Sequence, residues 1–372
     1  MNRILLLIMV LLIACSEPEK TSSPQVGNAT QFLSASGSDG YKRVVSQRTF
    51  EFPADHGSHD DYQNEWWYFT GNLETPEERH FGFELTFFRF GLDPTPATRK
   101  SEWGASQAWM GHLTVTDTEG GKFIAVERFS RQALGLAGSQ TDPFRVWLED
   151  WFASGAGQKI SPLNLSASAS RIGLELTLDT NKPPVSHGNG GVDQKGPETG
   201  NASHYYSLTN LNATGTLRVD ETSFDVTGSA WMDREWGTSA LSKDIAGWDW
   251  FGLQLSDERE IMYYRLRTDD GQSSPYSGGS IVLPDGKRVG LSMNDVLLEP
   301  IEYWTSPETG ATYPLSWQIS IPREKIELVI QPYLYEQELN LTVRYWEGAV
   351  RVTGTQEEET LTGNGYAELT GY

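Results

Sequence analysis

The chain contains a single cysteine, Cys15, so no disulfide bond within it can stabilise the fold. Basic residues are also scarce: 29 Lys and Arg stand against 50 Asp and Glu, which gives a formal net charge of -21. Binding to nucleic acid or to an anionic lipid surface requires a basic face, so this charge balance argues against both. With 372 residues, the chain is long enough for two domains of ordinary size or one large barrel, and its core does not need disulfides.

Several familiar catalytic motifs are missing as well. The sequence has neither the Gly-x-x-x-x-Gly-Lys-Ser/Thr loop that binds phosphates nor the Gly-x-Ser-x-Gly turn of many serine hydrolases. His56 and His59, together with Glu65, could bind zinc, but their spacing differs from the helical His-Glu-x-x-His pattern. The Asp, Gly and Ser residues around the two histidines favour a hydrogen-bonded turn instead. We therefore predict neither a metal site nor a cofactor.

The N-terminus has the pattern of a targeting signal. Arg3 precedes an apolar run, residues 4–13, that is too short to span a membrane as a stable anchor. The run ends in Leu12-Ile13-Ala14-Cys15, the pattern of a bacterial lipobox. We therefore predict that residues 1–14 are a signal peptide and that Cys15 is lipidated.

The residues after Cys15 predict a tether and a location. Residues 15–45 are rich in Ser, Gly, Pro and Glu, a composition typical of a disordered segment. Ser16 directly after the cysteine favours the outer membrane over the inner one. The predicted location is the bacterial cell envelope, where the protein would be anchored to the membrane through Cys15 and would face the periplasm.

Aromatic residues make up 12% of the chain, and beyond the tether the sequence predicts short strands separated by turns. Residues 66–73 and 81–90 are aromatic runs joined by a polar turn, which predicts a β-hairpin; later runs at regular intervals are typical of a sandwich or barrel. One helix is predicted over residues 142–155, because Asp142-Pro143 resembles a helix start and apolar residues then recur at helical spacing. Residues 181–203 form a loop too long for a passive connector, so it is either functional or disordered.

The second half of the chain repeats the first. Residues 248–255, a polar turn and residues 261–267 resemble residues 66–73 and 81–90 at an offset of 182 residues. An offset of this size indicates a duplicated domain rather than a short solenoid repeat. The predicted domains cover residues 46–235 and 236–372.

A charged aromatic motif, Trp231-Met232-Asp233-Arg234-Glu235-Trp236-Gly237, lies at the junction of the two predicted domains. In a strand, Trp231, Asp233 and Glu235 would share one face, and the residues between them would share the other. Inside an aromatic cavity, desolvation can keep a carboxylic acid protonated, so that it acts as a general acid near neutral pH. The alternative is a structural Asp-Arg or Glu-Arg pair with tryptophan packed on the guanidinium, and the sequence leaves both open.

Four segments together resemble a known family: Asp55-His56-Gly57-x-His59, residues 65–73, the loop from Lys182-Pro183-Pro184 to Tyr206 and the junction motif. They are similar to the carotenoid 1,2-hydratase (hydroxyneurosporene synthase) superfamily, and most closely to its periplasmic lipoprotein branch, often labelled predicted secreted hydrolases. The resemblance covers roughly residues 46–372 and implies an all-β fold of two tandem lipocalin-like β-barrels. The apolar spacing of residues 142–155 predicts, in addition, one short helix in the first barrel.

The resemblance also implies a chemistry, in which a terminal alkene is protonated and water adds to the resulting tertiary cation. The matching positions here are Asp233-Arg234-Glu235-Trp236-Gly237 and Tyr263-Tyr264-Arg265, where arginine replaces a histidine and an acid of the family motifs. Because arginine does not release its proton, the acid would be Asp233 or Glu235, with Tyr263 assisting.

The leading hypothesis is an envelope lipoprotein that binds a hydrophobic or amphipathic small molecule, such as a lipid or isoprenoid, in lipocalin-like barrels. One alternative is a hydratase or hydrolase that acts on such a molecule by general-acid catalysis, with Asp233, Glu235 and Tyr263 as catalytic residues. Another is an accessory partner of an envelope transporter. The predicted ligand-binding residues are Trp66, Tyr68, Arg234, Trp236, Trp248, Trp250 and Arg265. The residues predicted to lie at a rim or between the domains are His56, His59 and Glu65.

Overall fold

The structure is a computed structural model that describes residues 27–28, 38–95, 101, 103–155, 160–238 and 241–372. The predicted signal peptide, Cys15 and most of the predicted tether lie outside these residues, so the lipidation stays a prediction. In the described part of the chain, no helix is long and apolar enough to cross a membrane.

Two β-sheets, one in each half of the chain, contain nearly all of the regular structure. A short strand, β1 (Gly27–Asn28), precedes both and joins the C-terminal sheet. The thirteen strands of the N-terminal sheet are β2 (Asn64–Glu74), β3 (His80–Gly91), β4 (Gln107–Asp117), β5 (Lys122–Arg131), β6 (Ala137–Gln140), β7 (Arg145–Leu148), β8 (Trp151–Gly155), β9 (Leu163–Ser168), β10 (Ile172–Asp179), β11 (Val185–Ser186), β12 (Val192–Gln194), β13 (Ala202–Val219) and β14 (Thr222–Gly237).

The C-terminal sheet contains eleven strands, including β1. The other ten are β15 (Ile245–Leu255), β16 (Glu260–Thr268), β17 (Gly278–Val282), β18 (Arg288–Ser292), β19 (Leu297–Thr305), β20 (Thr312–Ile321), β21 (Ile326–Pro332), β22 (Glu338–Asn340), β23 (Val343–Gln356) and β24 (Glu359–Thr370). Three 3-10 turns complete the described regular structure: Ala54–His56, Met293–Asp295 and Pro322–Glu324.

The two sheets share the central part of their topology, and the N-terminal path is two strands longer. The N-terminal order is β5-β4-β3-β2-β14-β13-β10-β9-β8-β7-β6, and the C-terminal order is β18-β17-β16-β15-β24-β23-β21-β20-β19. In each, a four-strand meander is followed by the last strand of the domain. Residues 66–73 in β2 and 248–255 in β15 therefore occupy equivalent strands, and the predicted all-β fold of two lipocalin-like barrels is confirmed. Because β14 continues to Gly237, the domain boundary predicted between residues 235 and 236 falls inside this strand.

Alternate residues of the central strands fill the two barrels. Trp67 and Phe69 of β2 belong to the N-terminal core, and Phe251 of β15 belongs to the C-terminal core. The intervening residues would face solvent in an isolated barrel, yet Tyr68 and Trp250 are buried because the outer faces of the two sheets pack against each other. Strands buried on both faces carry nearly continuous apolar runs, which explains the aromatic density of both repeats.

The helix predicted over residues 142–155 is wrong, because this segment forms the hairpin of β7 and β8. Glu149, at the turn, has a positive φ of 58°. Val146, Leu148, Trp151 and Ala153 all lie in the N-terminal core, which is the two-residue alternation of strands. Additional apolar residues on the outer face gave the same segment an apparent helical spacing.

Each domain sends a connection across the other. Between β10 and β13, the Lys182 ammonium lies 2.7 Å from Glu260 Oε1 of the C-terminal sheet. Between β21 and β23, Gln337 Oε1 accepts a hydrogen bond from the hydroxyl of Thr116 in the N-terminal sheet at 2.6 Å. The two connections occupy the same position in the shared topology, and each carries short strands that pair with the strand following it.

Gly71 lies where β2 and its paired strand β14 approach each other closely. A Cβ at Gly71 would lie 2.5 Å from Phe83 Cε1 and 2.6 Å from the carbonyl oxygen of Ser229 in β14. Since that carbonyl belongs to a paired strand, Gly71→Ala is expected to lower the free energy of unfolding by about 2 kcal/mol. Gly290→Ala is the control, because its Cβ would approach only the Arg288 side chain, at 3.6 Å. Urea unfolding measures both; equal stabilities of the two variants would contradict the predicted crowding.

Candidate functional site

A cavity lies between the outer faces of the two barrels, whose interiors are filled by core side chains. Its empty space is about 1030 Å³ when the open solvent at its mouth is counted. The apolar and aromatic lining residues are Trp66, Tyr68, Phe88, Phe90, Met110, Tyr205, Leu241, Trp248, Trp250, Tyr264, Leu266, Val343 and Tyr345. The ionisable ones are His112, Lys195, Asp233, Glu235, Glu347 and Glu368.

Strand alternation determines which predicted residues reach this cavity. Asp233 lies directly opposite Tyr68, and Glu235 opposite Trp66, across β14 and β2. These side chains therefore point to the same side of the N-terminal sheet, towards the C-terminal barrel. The cavity brings together six predicted site residues: Trp66, Tyr68, Asp233, Glu235, Trp248 and Trp250.

Asp233 is a buried carboxyl group in the cavity wall, only 4% exposed. Its Oδ2 accepts a hydrogen bond from the Tyr205 hydroxyl at 2.6 Å, and its Oδ1 accepts from the Trp231 indole at 2.6 Å and from the Ser207 hydroxyl. Burial raises the pKa of Asp233 to about 7, although the three donors favour the ionised form. A carboxyl group with this pKa can give up and regain a proton at neutral pH.

Glu235 lies on the same face and is already paired. It accepts hydrogen bonds from the Lys195 ammonium and the Ser203 hydroxyl. Burial alone would lower the pKa of Lys195, but the carboxylates of Glu235 and Asp193 raise it, so Lys195 stays charged. Because Glu235 is held in an ion pair, Asp233 is the better candidate for the general acid.

The long connection between β10 and β13 supplies part of the site. It carries Lys195 and Asp193, and the Tyr264 hydroxyl of the C-terminal barrel donates to Asp193 at 2.8 Å. Burial raises the pKa of Asp193 to about 6. In the sequence, the length of residues 181–203 indicated that this segment could be functional, but it did not identify Asp193 or Lys195 as site residues.

His187, from the same connection, supports Asp233 from behind. Its Nε2 lies 2.7 Å from the Ser207 hydroxyl, which donates to Asp233, and its Nδ1 lies 3.2 Å from Ser280 Oγ. Burial lowers the pKa of His187 to about 3, so the ring is neutral. With Ser207 donating to Asp233, the neutral ring donates from Nε2 and holds the Ser207 hydroxyl in place.

Arg234 and Trp236 point to the face of β14 that lies away from the cavity. The ligand-binding role predicted for them is therefore wrong for this cavity. Arg234 donates to Glu65 at 2.6 Å, and its guanidinium lies 3.8 Å from the centre of the Trp67 ring. Glu65 also pairs with the fully buried Arg89. Arg234 therefore forms a structural Glu-Arg pair with a stacked tryptophan, but Glu65 and Trp67 of β2 supply its partners in place of the acids of the junction motif.

The rim or interdomain position predicted for His56, His59 and Glu65 is also corrected, because their contacts lie within the N-terminal barrel. His59 Nε2 lies 3.0 Å from Asp55 Oδ1, and its ring stacks on Trp236 with 3.8 Å between ring centres. His56 Nδ1 lies 2.6 Å from the Tyr206 hydroxyl, and burial lowers the pKa of His56 to about 3. These residues tie the segment before β2 to the inner face of β14.

Tyr263 and Arg265 of β16 also face away from the cavity. Tyr263 belongs to the C-terminal core, and Arg265 Nη2 lies 2.7 Å from Asp249. The predicted catalytic role of Tyr263 and ligand-binding role of Arg265 are therefore corrected, since alternation directs their neighbours Tyr264 and Leu266 into the cavity. Among the residues that the structure describes, no group of three or more His, Cys, Asp or Glu is arranged to hold a metal ion.

A family model described as AttH-like matches residues 43–372, which is most of the chain. The chain belongs to the AttH-like family. The crystal structure of an AttH-type protein from Nitrosomonas europaea is 31% identical to it, with a TM-score of 0.79 over 89% of this chain and 99% of that one. The kievitone hydratase structure from Nectria haematococca shares the AttH-like fold, with a TM-score of 0.68 and 15% identity over 89% and 96% of the two chains. The predicted membership of a hydratase-related superfamily is confirmed.

Two relatives of this AttH-like chain have enzyme names. Kievitone hydratase of Fusarium solani subsp. phaseoli is 24% identical over 223 residues, which cover 56% of this chain and 60% of the relative. Dehydratase asqC of Emericella nidulans is 22% identical over 166 residues, which cover 43% of this chain and 46% of the relative. The similarity thus spans about half the length of each relative.

Asp233→Asn isolates the ionisation of Asp233. Its pKa is raised from 3.8 to about 7 in the folded state, so between these values the folded protein holds a proton that the unfolded chain has lost. Relative to D233N, wild-type stability is expected to be greatest below about pH 4 and to fall by roughly 1.4 kcal/mol per pH unit until about pH 7. Urea unfolding across this range measures the difference, and parallel pH profiles of the two proteins would refute the raised pKa.

Proposed function

We propose that this AttH-like protein is a hydro-lyase, which adds water to a largely apolar substrate or removes it, in the cavity between the barrels. The observation that carries the proposal is Asp233: a buried carboxyl group with a pKa of about 7 in the wall of an aromatic cavity. Lipocalin-type ligand binding remains part of the proposal, but the ligand lies between the barrels.

The proposed reaction needs one proton donor and a site that tolerates a carbocation. Protonated Asp233 transfers its proton to one alkene carbon, and the cation left on the other carbon is stabilised by aromatic faces such as Trp66 and Trp250. Water then adds its oxygen to that cation and returns a proton to Asp233. The net change is the addition of one water, and the reverse sequence is dehydration.

The relatives support this reaction class over simple carriage of a ligand. One is named a hydratase and the other a dehydratase, which are the two directions of one reaction. Because each similarity spans only part of the relative, the activity and substrate are proposals for this chain. Hydrolysis of a lipid or isoprenoid and an accessory role beside an envelope transporter remain alternative proposals.

Asp233→Asn tests the catalytic role directly. Purified protein is incubated in ¹⁸O-labelled water with hydrophobic alkenes, including kievitone and linear isoprenoids, and the products are weighed by mass spectrometry. We expect a product heavier by one labelled water, formed at least a hundredfold more slowly by D233N because the proton donor is lost. Asp225→Asn, at an exposed position of the same strand, is the control and should react like the wild type.

The same measurement separates the alternatives. A hydrolase would yield two fragments, one of them labelled, instead of a single hydrated product. Binding of these compounds without any turnover would favour a carrier. Turnover by D233N at the wild-type rate would overturn the role of Asp233.

We also propose that the protein is anchored in the envelope through a lipid on Cys15, as the lipobox predicts. Cys15→Ser should abolish labelling by an alkyne-tagged fatty acid in a bacterial host and shift the protein from the membrane fraction to the soluble one. Ser16→Ala, which leaves the cysteine intact, should keep the label. Labelled C15S protein would contradict the anchor.

A further inference from the structure

A second group of carboxyls lines the cavity away from Asp233. Glu347 of β23 and Glu368 of β24 lie directly opposite each other in the C-terminal sheet, and both line the cavity. Glu84, fully buried in β3 of the N-terminal sheet, interacts with both. Two ionised carboxyl groups directly opposite each other would destabilise a sheet.

Glu347 is the unusual member of this group. It is 1% exposed, and within the described ranges neither of its carboxylate oxygens has a hydrogen-bond partner of good geometry. The Tyr68 hydroxyl, which also lines the cavity, interacts with Glu347, but the two do not form a hydrogen bond of good geometry and Tyr68 has no other hydrogen-bond partner among the described residues. Tyr345 faces Glu347, but its hydroxyl is hydrogen-bonded to His112. A buried polar group without a partner is costly, and a ligand that supplies the partner removes that cost.

We propose that Glu347, with Glu368 beside it and Glu84 behind it, binds a hydroxyl group of the substrate. The substrate is then a neutral amphipathic molecule, with an alcohol or phenol at this end and its reacting alkene beside Asp233. This inference rests on the proposed function, since it names the substrate class for the same cavity.

The ionisable groups around the cavity disfavour an acidic ligand. Four lining residues are carboxylic acids, whereas the one lining lysine, Lys195, is already paired with Glu235. In the described part of the chain, no lysine or arginine forms a salt bridge with Glu84, Glu347 or Glu368. Among the described residues, a substrate carboxylate or phosphate would therefore find no unpaired lysine or arginine in the cavity wall to balance its charge.

The protonation of these groups favours a hydroxyl over a cation. Burial and the neighbouring carboxyls raise the pKa of Glu347 well above its usual range and that of Glu368 to about 8. The protonated form of each group is therefore favoured. A protonated carboxyl group donates one hydrogen bond and accepts others, which matches a hydroxyl group, whereas an ammonium group can only donate.

A matched pair of ligands tests the site without requiring turnover. Calorimetric titration compares 4-octylphenol with its methyl ether, 4-octylanisole, which has the same apolar body but cannot donate a hydrogen bond. We expect the wild type to bind the phenol about tenfold more tightly. Equal affinities, or tighter binding of 4-octylbenzylamine than of the phenol, would overturn the proposal.

Glu347→Leu then assigns the preference to one residue. E347L should lose the preference for the phenol yet remain at least as stable as the wild type, because it removes a buried carboxyl that no described lysine or arginine pairs with. E347Q should retain the preference, since an amide both donates and accepts. Glu359→Leu, at an exposed position of β24, is the control and should keep it.

The remaining outcomes are equally decisive. A large loss of stability in E347L would make Glu347 a structural residue, and a preserved preference would place hydroxyl recognition elsewhere. D233N should bind both ligands with the wild-type preference for the phenol. If Asp233 proves not to be catalytic, the phenol preference still tests Glu347. If Glu347 proves not to bind the hydroxyl, the turnover of D233N still tests Asp233.

Discussion

The packing of one barrel's outer face on the other is the constraint on which the site depends. It buries β2, β15 and the C-terminal halves of β14 and β24 on both sides, so the residues there face either a barrel core or the interface. A shift of one residue in the register of β14 would move Asp233 into the core and Arg234 into the cavity. The two hydrophobic cores therefore fix the chemistry of the cavity as firmly as they fix the fold.

Two buried carboxyl groups of this protein, those of Glu65 and Asp233, differ in their ionisation. Burial opposes the ionisation of Glu65, but Arg89 and Arg234 hold its pKa well below its usual range, so it is a charged structural residue. Asp233, on the other face of the same sheet, has only neutral donors and shares its proton at neutral pH. The difference arises from the partners that each face offers, not from the depth of burial.

The sequence was sufficient for the features that depend on alternation and repetition. The duplicated barrels and the shared face of Asp233 and Glu235 follow from spacing alone. Residues 142–155 were misassigned because a strand with apolar residues on both faces also satisfies a helical period. The choice of Tyr263 over Tyr264 failed because the direction of a side chain depends on register, which a single sequence does not specify. His187 acts on Asp233 through Ser207, a contact between distant segments that leaves no local pattern.

The reciprocal connections between the barrels have a consequence for how this architecture could diversify. Each half reaches over the other from the same topological position, which is the relation expected of two identical subunits around a twofold axis. In a symmetric dimer of single barrels, both connections would have the same sequence. A fused chain encodes the two connections separately. The connection between β10 and β13 can therefore carry His187, Asp193 and Lys195, while the connection between β21 and β23 holds the halves together through Gln337. Asymmetric chemistry thus becomes compatible with a symmetric scaffold.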